Sequence, residues 1–530
     1  MKELQWGLMA VVFAGFGCGN GDDASVPAPG DEEQAVTPVQ PRPSALAELV
    51  TALGGQERLD SLTTLRIEGS GVRFIPNEGV TPEDEAIQAN SFERAVSIDI
   101  EADALRVDTD RDIEFLFPGS QTYSDVVQGN LGASTQTFFG APLGALGSDK
   151  VASIRQQELL LAPAVMAQSL TAAAVTAESD VELEGVTHHR LVATGGPAPV
   201  TFFINADSGE LTKLQTLELD FYRRDVTLEI FYEDWATTNE LPFPHSLRVV
   251  RDGHTLFTEE ISTVIVNPEF GATTFDFPDG ATPVFDEALF QRGLLSHQWY
   301  YLLDSIGLPF SGIDLAITPT EVGSRSVLQL VGASHHSFVV EQADGLVLVD
   351  APLHDDRGGE IVEFLAEFYP GAEIKDVVVS HFHEDHTSGI REVLGRTGAN
   401  LVVHASTEAF WRELLAQPST LKPDALAQNP REVTITTVPE GGELEIPDAV
   451  NPVTLYHLAT DHAADMLLTY QPTSNSVFVV DIYSPGNAAQ IGAADLGAAI
   501  TEHAIPTEGL RIVGGHGGID DYAALAAQLP

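Results

Sequence analysis

Apolar and polar positions alternate along much of residues 44–280. Val226, Leu228, Ile230 and Tyr232 are interleaved with Thr227, Glu229 and Phe231. That is the period-two pattern of a strand with one face more buried than the other. Residues 201–204 and 211–219 are apolar-rich runs on either side of Asp207-Ser208-Gly209-Glu210, which predicts a hairpin. A second strand pair is predicted over residues 246–250 and 255–266, around Asp252-Gly253. Helical spacing occurs at Leu46, Leu49, Val50 and Leu53, with Ser44 ahead as a cap and Gly54-Gly55 behind as a stop. Residues 162–177 are rich in alanine and predict a further helix. Residues 44–280 therefore read as a β-rich domain.

The pattern changes towards the C-terminus. Residues 281–320 read as a connector, in which Leu294, Leu295, Tyr301, Leu302 and Leu303 predict a docked helix and Pro309, Gly312 and Pro319 punctuate its exit. Over residues 321–530 short apolar runs alternate with helical stretches. Strands are predicted at 326–331, 337–341, 346–349, 376–380, 401–403, 453–458, 466–470, 477–480 and 510–513, with helices at 359–368 and from 390. The chain as a whole is α+β, with this last region layered.

The first residues read as an address. An apolar run over residues 8–16 follows Lys2 and is too short to span a bilayer. It ends in Gly15-Phe16-Gly17, directly before Cys18. Residues 1–18 resemble a bacterial lipoprotein signal, which implies lipid attachment at Cys18 and a periplasmic or outer-membrane-anchored protein. Residues 19–43, rich in Gly, Pro, Asp and Glu, predict a flexible acidic tether. Of 530 residues, 43% are hydrophobic and 20% charged, which excludes wholesale disorder. The formal charge of −52 opposes binding to polyphosphates, so nucleic acid is not expected as a partner. Cys18 is the one cysteine, so neither an intrachain disulfide nor a cysteine-based zinc site is possible.

The segment that carries chemistry is Ser380-His381-Phe382-His383-Glu384-Asp385-His386. Residues two apart in an extended segment point the same way. His381, His383 and Asp385 should therefore project to one side, and His386 joins them where the chain turns into the following helix. Imidazoles and a carboxylate converging this closely make a nitrogen/oxygen site suited to Zn²⁺. His188, His189 and His245, isolated in strand-like stretches, read as surface or strand residues.

The H-x-H-x-D-H segment resembles the signature of the metallo-β-lactamase superfamily, over roughly residues 320–530. The resemblance implies a four-layer αβ/βα sandwich. It also implies a first metal site of His381, His383 and His462, a second of Asp385, His386 and His516, and Asp481 bridging both. Asp350 resembles an aspartate that supports the metal loop. Two departures stand out: Val480 precedes Asp481 where the family commonly has Gly, and the third histidine lies in Asp461-His462-Ala463 rather than Gly-His-Thr. Ahead of this region, Ala52-Leu53-Gly54-Gly55 through Gly69-Ser70-Gly71, with Tyr232-Glu233-Asp234-Trp235, resembles the half-barrel of periplasmic lipoprotein carriers. His335, His336 and His354 fall in loops expected on the same rim, either as substrate contacts or as plain surface residues.

The implied activity is that of a binuclear hydrolase. Hydroxide held by two Zn²⁺ ions (Mn or Fe being compatible) attacks an ester, lactone, thioester or amide carbonyl of a small-molecule substrate. Asp385 orients the nucleophile, and Tyr483 is a possible donor to the developing oxyanion. Two other readings stay open: a zinc β-lactam hydrolase, and a lipid- or partner-binding lipoprotein whose metal domain is not catalytic.

Overall fold

The computed structural model describes residues 45–115, 118–138, 141–170, 175–177, 179–296, 316–487 and 492–529. The signal, Cys18, the acidic tether and the connector residues Tyr301, Leu302, Leu303, Pro309 and Gly312 lie outside the described residues.

Among the described residues, the N-terminal part is built on an antiparallel sheet of fourteen strands. Thr64–Ile75 pairs on one side with Ile87–Asp99 and on the other with His254–Val266, so the first and last strands of the sheet are neighbours. The predicted hairpins are present as Val200–Asn205 with Leu211–Asp220, and Leu241–Arg251 with His254–Val266. In Arg224–Thr238 the alternate residues Val226, Leu228, Ile230 and Tyr232 are buried, as the pattern predicts.

The alanine-rich stretch behaves differently from expectation. Its helix spans only Pro163–Ser169, and Val175–Ala177 is a strand. A longer helix, Ser148–Leu161, precedes it and contributes Val151, Ile154, Leu160 and Leu161 to the same core as the strand residues Phe202, Leu228 and Phe257. Pro163 has no N–H to continue that helix and starts a new one. Ser148–Leu161 is buried on nearly all sides, charged residues included. It therefore carries no apolar stripe to reveal it in the sequence. Its Glu158 is held by Arg94 at 2.7 Å, and Arg94 in turn pairs with Glu259 at 2.7 Å.

Among the described residues, the C-terminal part has two further sheets, of seven and six strands. In the first, Gly345–Val349, Ile374–Val378, Asn400–His404 and Ile435–Val438 run parallel. Parallel neighbours need crossovers, and the helices Asp355–Phe368, Ile390–Arg396 and Glu408–Ala416 lie in them. Strand residues alternate between two cores. Val347 and Val349 face the second sheet, sharing a core with Leu468, Phe478 and Ile512. Leu346 and Leu348 face the other way, onto Ile361, Leu365, Val393 and Trp411 of the crossover helices. The helix Ala493–Glu502 joins the core of the second sheet through Leu496 and Ile500. The order helix, sheet, sheet, helix is the four-layer sandwich expected.

Close backbone approach fixes the loop that follows Ile374–Val378. A Cβ on Gly358, in Asp355–Phe368, would lie 2.4 Å from the carbonyl oxygen of Gly389. The same neighbourhood is tied by Gly389 N–H donating to Ala351 O and Leu353 N–H to Asp385 O, each at 2.8 Å. Gly358→Ala should force these segments apart and cost about 1–3 kcal/mol, read as a lowered denaturant midpoint.

Candidate metal centre

The strand Ile374–Val378 ends just before the signature segment, which occupies the mouth between the two C-terminal sheets. His381 and His383 lie in the loop, but Asp385 does not continue an extended chain. Glu384–Thr387 forms a single helical turn. The predicted one-sided array of His381, His383 and Asp385 is therefore split. His381 and His383 group with His462 and Asp481, while Asp385 and His386 group with His516 and His335. Within each group, one candidate ligand atom per residue lies within 4.8 Å of the others.

Asp481 connects the groups. Its Oδ2 lies 3.1 Å from Nε2 of His386 and of His462 and 3.2 Å from that of His381, and its Oδ1 lies 2.8 Å from Nε2 of His516. The residue has φ of 55°, so the backbone turns sharply after the strand Ser476–Val479 and aims the carboxylate at the site. Val480, the departure from the familial Gly, is accommodated because a Cβ on Gly515 would come within 2.3 Å of it, and glycine has none. The turn at His462 is held by Thr460, whose hydroxyl accepts from the N–H of His462 and of Ala463 at 3.3 and 3.1 Å.

The outward nitrogens of His381, His383 and His516 are engaged. His383 Nε2–H donates to Gly79 O at 2.8 Å and His516 Nδ1–H to Ser334 O at 2.8 Å, while His381 Nδ1 pairs with Ser380 Oγ at 3.1 Å. Asp350 lies under the start of the loop: Oδ1 accepts from Ser380 N–H at 2.8 Å, and Oδ2 faces His386 Nδ1 at 3.6 Å. Hydrogen-bonded partners of this kind orient a ligand imidazole.

Charge is distributed unevenly. Burial opposes ionisation of Asp481, but His386 and hydrogen bonds from His381, His386 and His462 hold it well below its ordinary range. Asp385 is likewise held low against burial by His386 and His335. His386 is raised well above its ordinary value, since Asp481 and Asp385 outweigh the effect of burial, while His381 and His383 are lowered by burial.

The donor set matches a divalent transition metal. Four ligands at ordinary zinc distances sit about 3.3 Å apart along the edges of a tetrahedron. His462 Nε2 lies 3.3 Å from His381 Nε2, and both lie near that distance from Asp481. Two imidazole nitrogens facing each other at this distance in a buried site, beside a carboxylate, are placed as a metal would hold them. The mouth is on one side: the side chains of Asp385, Asp481, His462 and His516 are 13–23% exposed, whereas those of His381, His383 and His386 are at most 1%.

Other predicted residues take different places. His335 lies inside the site, with Nε2 2.8 Å from Asp385 Oδ2. Burial pushes it down to about 4, so it is a neutral imidazole at pH 7. His336 packs behind it, and His354 precedes the helix Asp355–Phe368 against Phe221, away from the cluster. Tyr483 turns away: its hydroxyl donates to Asp520 at 2.9 Å, so it is no oxyanion donor. His188 and His245 bond within the N-terminal sheet, to Val186 O and Ile261 O, and His189 pairs with Asp180.

The N-terminal sheet also reaches this site, which the sequence did not announce. Tyr222, in the turn between Leu211–Asp220 and Arg224–Thr238, donates its hydroxyl to the carbonyl of Phe382, between the two leading histidines. The connection at residues 76–86 supplies Gly79 to His383 and Val80 O to the N–H of Ala464 at 2.8 Å. These residues read as ordinary turns because their partners lie hundreds of positions away.

Residues 331–475 match the family model of the metallo-beta-lactamase superfamily. No curated protein matches the chain. Similar solved structures include a metallo-beta-lactamase from Pontibacter korlensis, at 17% identity over 40% of this chain and 97% of that one, with a TM-score of 0.31. The DIM-1 metallo-beta-lactamase gives 18% identity over 40% and 94%, with a TM-score of 0.31. An archaeal superfamily protein from Sulfolobus tokodaii gives 16% over 37% and 78%, with a TM-score of 0.26. Asp481 and His516 lie beyond the matched residues, so their place in the site rests on the geometry above. The likeness of this chain to the metallo-beta-lactamase superfamily thus rests on residues 331–475 of its C-terminal region.

Proposed function

We propose that the chain is a binuclear metal-dependent hydrolase acting on an ester, lactone, thioester or amide carbonyl of a small molecule. The observation that carries this reading is Asp481, one carboxylate within 2.8–3.2 Å of the Nε2 atoms of His381, His386, His462 and His516. His381, His383 and His462 would hold one ion, Asp385, His386 and His516 a second, and Asp481 would touch both. Two divalent ions, Zn²⁺ or its Mn or Fe equivalents, would supply Lewis acidity towards a carbonyl oxygen and lower the pKa of a water nucleophile.

The chain's own residues do the rest. Asp385 has one oxygen fixed by His335, and its Oδ1 is buried without a hydrogen-bond partner. That free oxygen is the acceptor for the proton of an attacking water, and His335 keeps the carboxylate oriented towards it. Substrate enters from the side of His462 and His516, whose side chains are the most exposed of the group. In this reading residues 321–530 are the hydrolase domain, residues 44–280 a β-rich domain joined by the connector 281–320, and Cys18 a lipid anchor that places the enzyme in the periplasm or on the outer membrane.

Elemental analysis of the purified, dialysed chain should return about two transition-metal ions per molecule. Turnover of an ester, lactone, thioester or β-lactam panel should vanish on chelation and return on metal addition. Background metal after reloading, with no turnover of any panel member, would sink the proposal.

A further inference from the structure

We propose that Glu78 is a carboxylate of the metal centre itself, supplied by the N-terminal sheet beside His383 and Asp385. The inference rests on the metal reading above and adds a ligand that the signature does not contain.

Glu78 lies in the connection at residues 76–86, between the strands Thr64–Ile75 and Ile87–Asp99. A glutamate in such a connection is ordinarily solvated. Here its side chain is 3% exposed, and Oε2 lies 3.5 Å from Nδ1 of His383. That nitrogen is the one free to bind, because the other, Nε2–H, donates to Gly79 O. The next residue along the connection thus selects the tautomer of His383, and Glu78 faces the lone pair so exposed. The separation is close to the tetrahedral edge of about 3.3 Å between neighbouring ligands on zinc. Glu78, His383 and Asp385 also present ligand atoms within 4.8 Å of one another.

The other carboxylate oxygen, Oε1, is buried with no hydrogen-bond partner. A buried carboxylate left half-satisfied is answered either by a proton or by a cation. Meanwhile the backbone around Glu78 is fastened on both sides. Asn77 Oδ1 accepts from Arg223 Nε and Nη2 at 3.0 and 2.9 Å, and Val80 O accepts from Ala464 N–H. The side chain is therefore carried into the site by a fixed frame. A third carboxylate also removes one more unit of the positive charge that two divalent ions bring into a buried site. Metal binding and docking of the N-terminal sheet are then one equilibrium: each ion held by Glu78 tightens the contact between the two parts of the chain.

The test uses the full chain, loaded with Zn²⁺ or Co²⁺ and titrated against a chelator. Glu78→Gln should weaken one of the two metal positions by about 10–100-fold and alter the Co²⁺ d–d absorption. Glu83→Gln, exposed on the same connection, should change neither. Hydrogen exchange on the unmodified protein supplies a readout that needs no variant: amides at 76–86 should slow when metal is added. Two bound ions with unchanged Glu78→Gln titration and Co²⁺ spectrum would overturn the assignment while leaving the hydrolase reading intact. Unchanged exchange at 76–86 on loading would also overturn it. No metal in the unmodified chain would overturn both.

Discussion

Asp481→Asn is expected to yield a folded protein holding fewer than one metal ion per chain, with affinity lowered at least about 100-fold. Even partners outside the ligand shell cost 10–100-fold when lost, and Asp481 stands at the junction of both groups. Asparagine keeps the shape and tolerates the left-handed backbone that Asp481 adopts at φ 55°, so loss of fold is not the expected cause. What changes is charge and chemistry. One anionic oxygen now within 3.1–3.2 Å of His381, His386 and His462 would become a weak neutral acceptor or an amide donor facing lone pairs. Elemental analysis, with circular dichroism to establish folding, checks the result. Two ions retained at wild-type affinity would remove Asp481 from the proposed bridging position.

What was readable beforehand follows the range of the contacts involved. His381, His383, Asp385 and His386 lie within one short segment, so local spacing betrays them. His462, Asp481 and His516 could be placed because each belongs to a turn at the end of a short apolar strand, in the order the resemblance supplies. Even there, spacing misjudged the array: the helical turn Glu384–Thr387 groups Asp385 with His386, His335 and His516, and it meets His383 only beside Glu78, apart from His381 and His462. His335 was one of three rim histidines with nothing to separate it from His336 and His354; only the fold brings it to Asp385. Glu78 and Tyr222 were invisible for a stronger reason. Pro76-Asn77-Glu78-Gly79 has the composition of a solvated turn, and Tyr222 sits between Phe221 and Arg223 without periodicity. Their roles depend on how one sheet docks on another, which no local pattern encodes.

That docking makes Arg224 the residue whose loss should cost most stability. Its side chain is 1% exposed, with Nε 3.1 Å from Asp424 and Nη2 3.5 Å from Asp355. It also donates to the carbonyls of Lys422 at 2.9 Å and Phe221 at 3.3 Å. Arg224→Ala strips a cation from two buried carboxylates and leaves these carbonyls short of donors. Breaking a buried pair from one side costs about 3–5 kcal/mol. The lower end is expected, because Arg391 still reaches Asp424 and Lys422 still reaches Asp355. The loss should depend on pH with a definite sign. Burial opposes ionisation of Asp355, yet Lys422 and Arg224 outweigh it and hold the group well below its ordinary value of 3.8. A depressed carboxylate stabilises the fold above its unfolded pKa and ceases to do so as pH falls through its folded one. The gap between wild type and Arg224→Ala should therefore be full near neutrality and narrow below about pH 4. Arg224→Lys keeps the charge but not the fork, and should fall between the two. Denaturant titrations at several pH values decide it: a difference within about 0.5 kcal/mol at pH 7 would mean the sheet is held on the metal domain by other contacts. Where the predicted loss does appear, metal retention should fall with it, because the same turn delivers the Tyr222 hydroxyl to the carbonyl of Phe382.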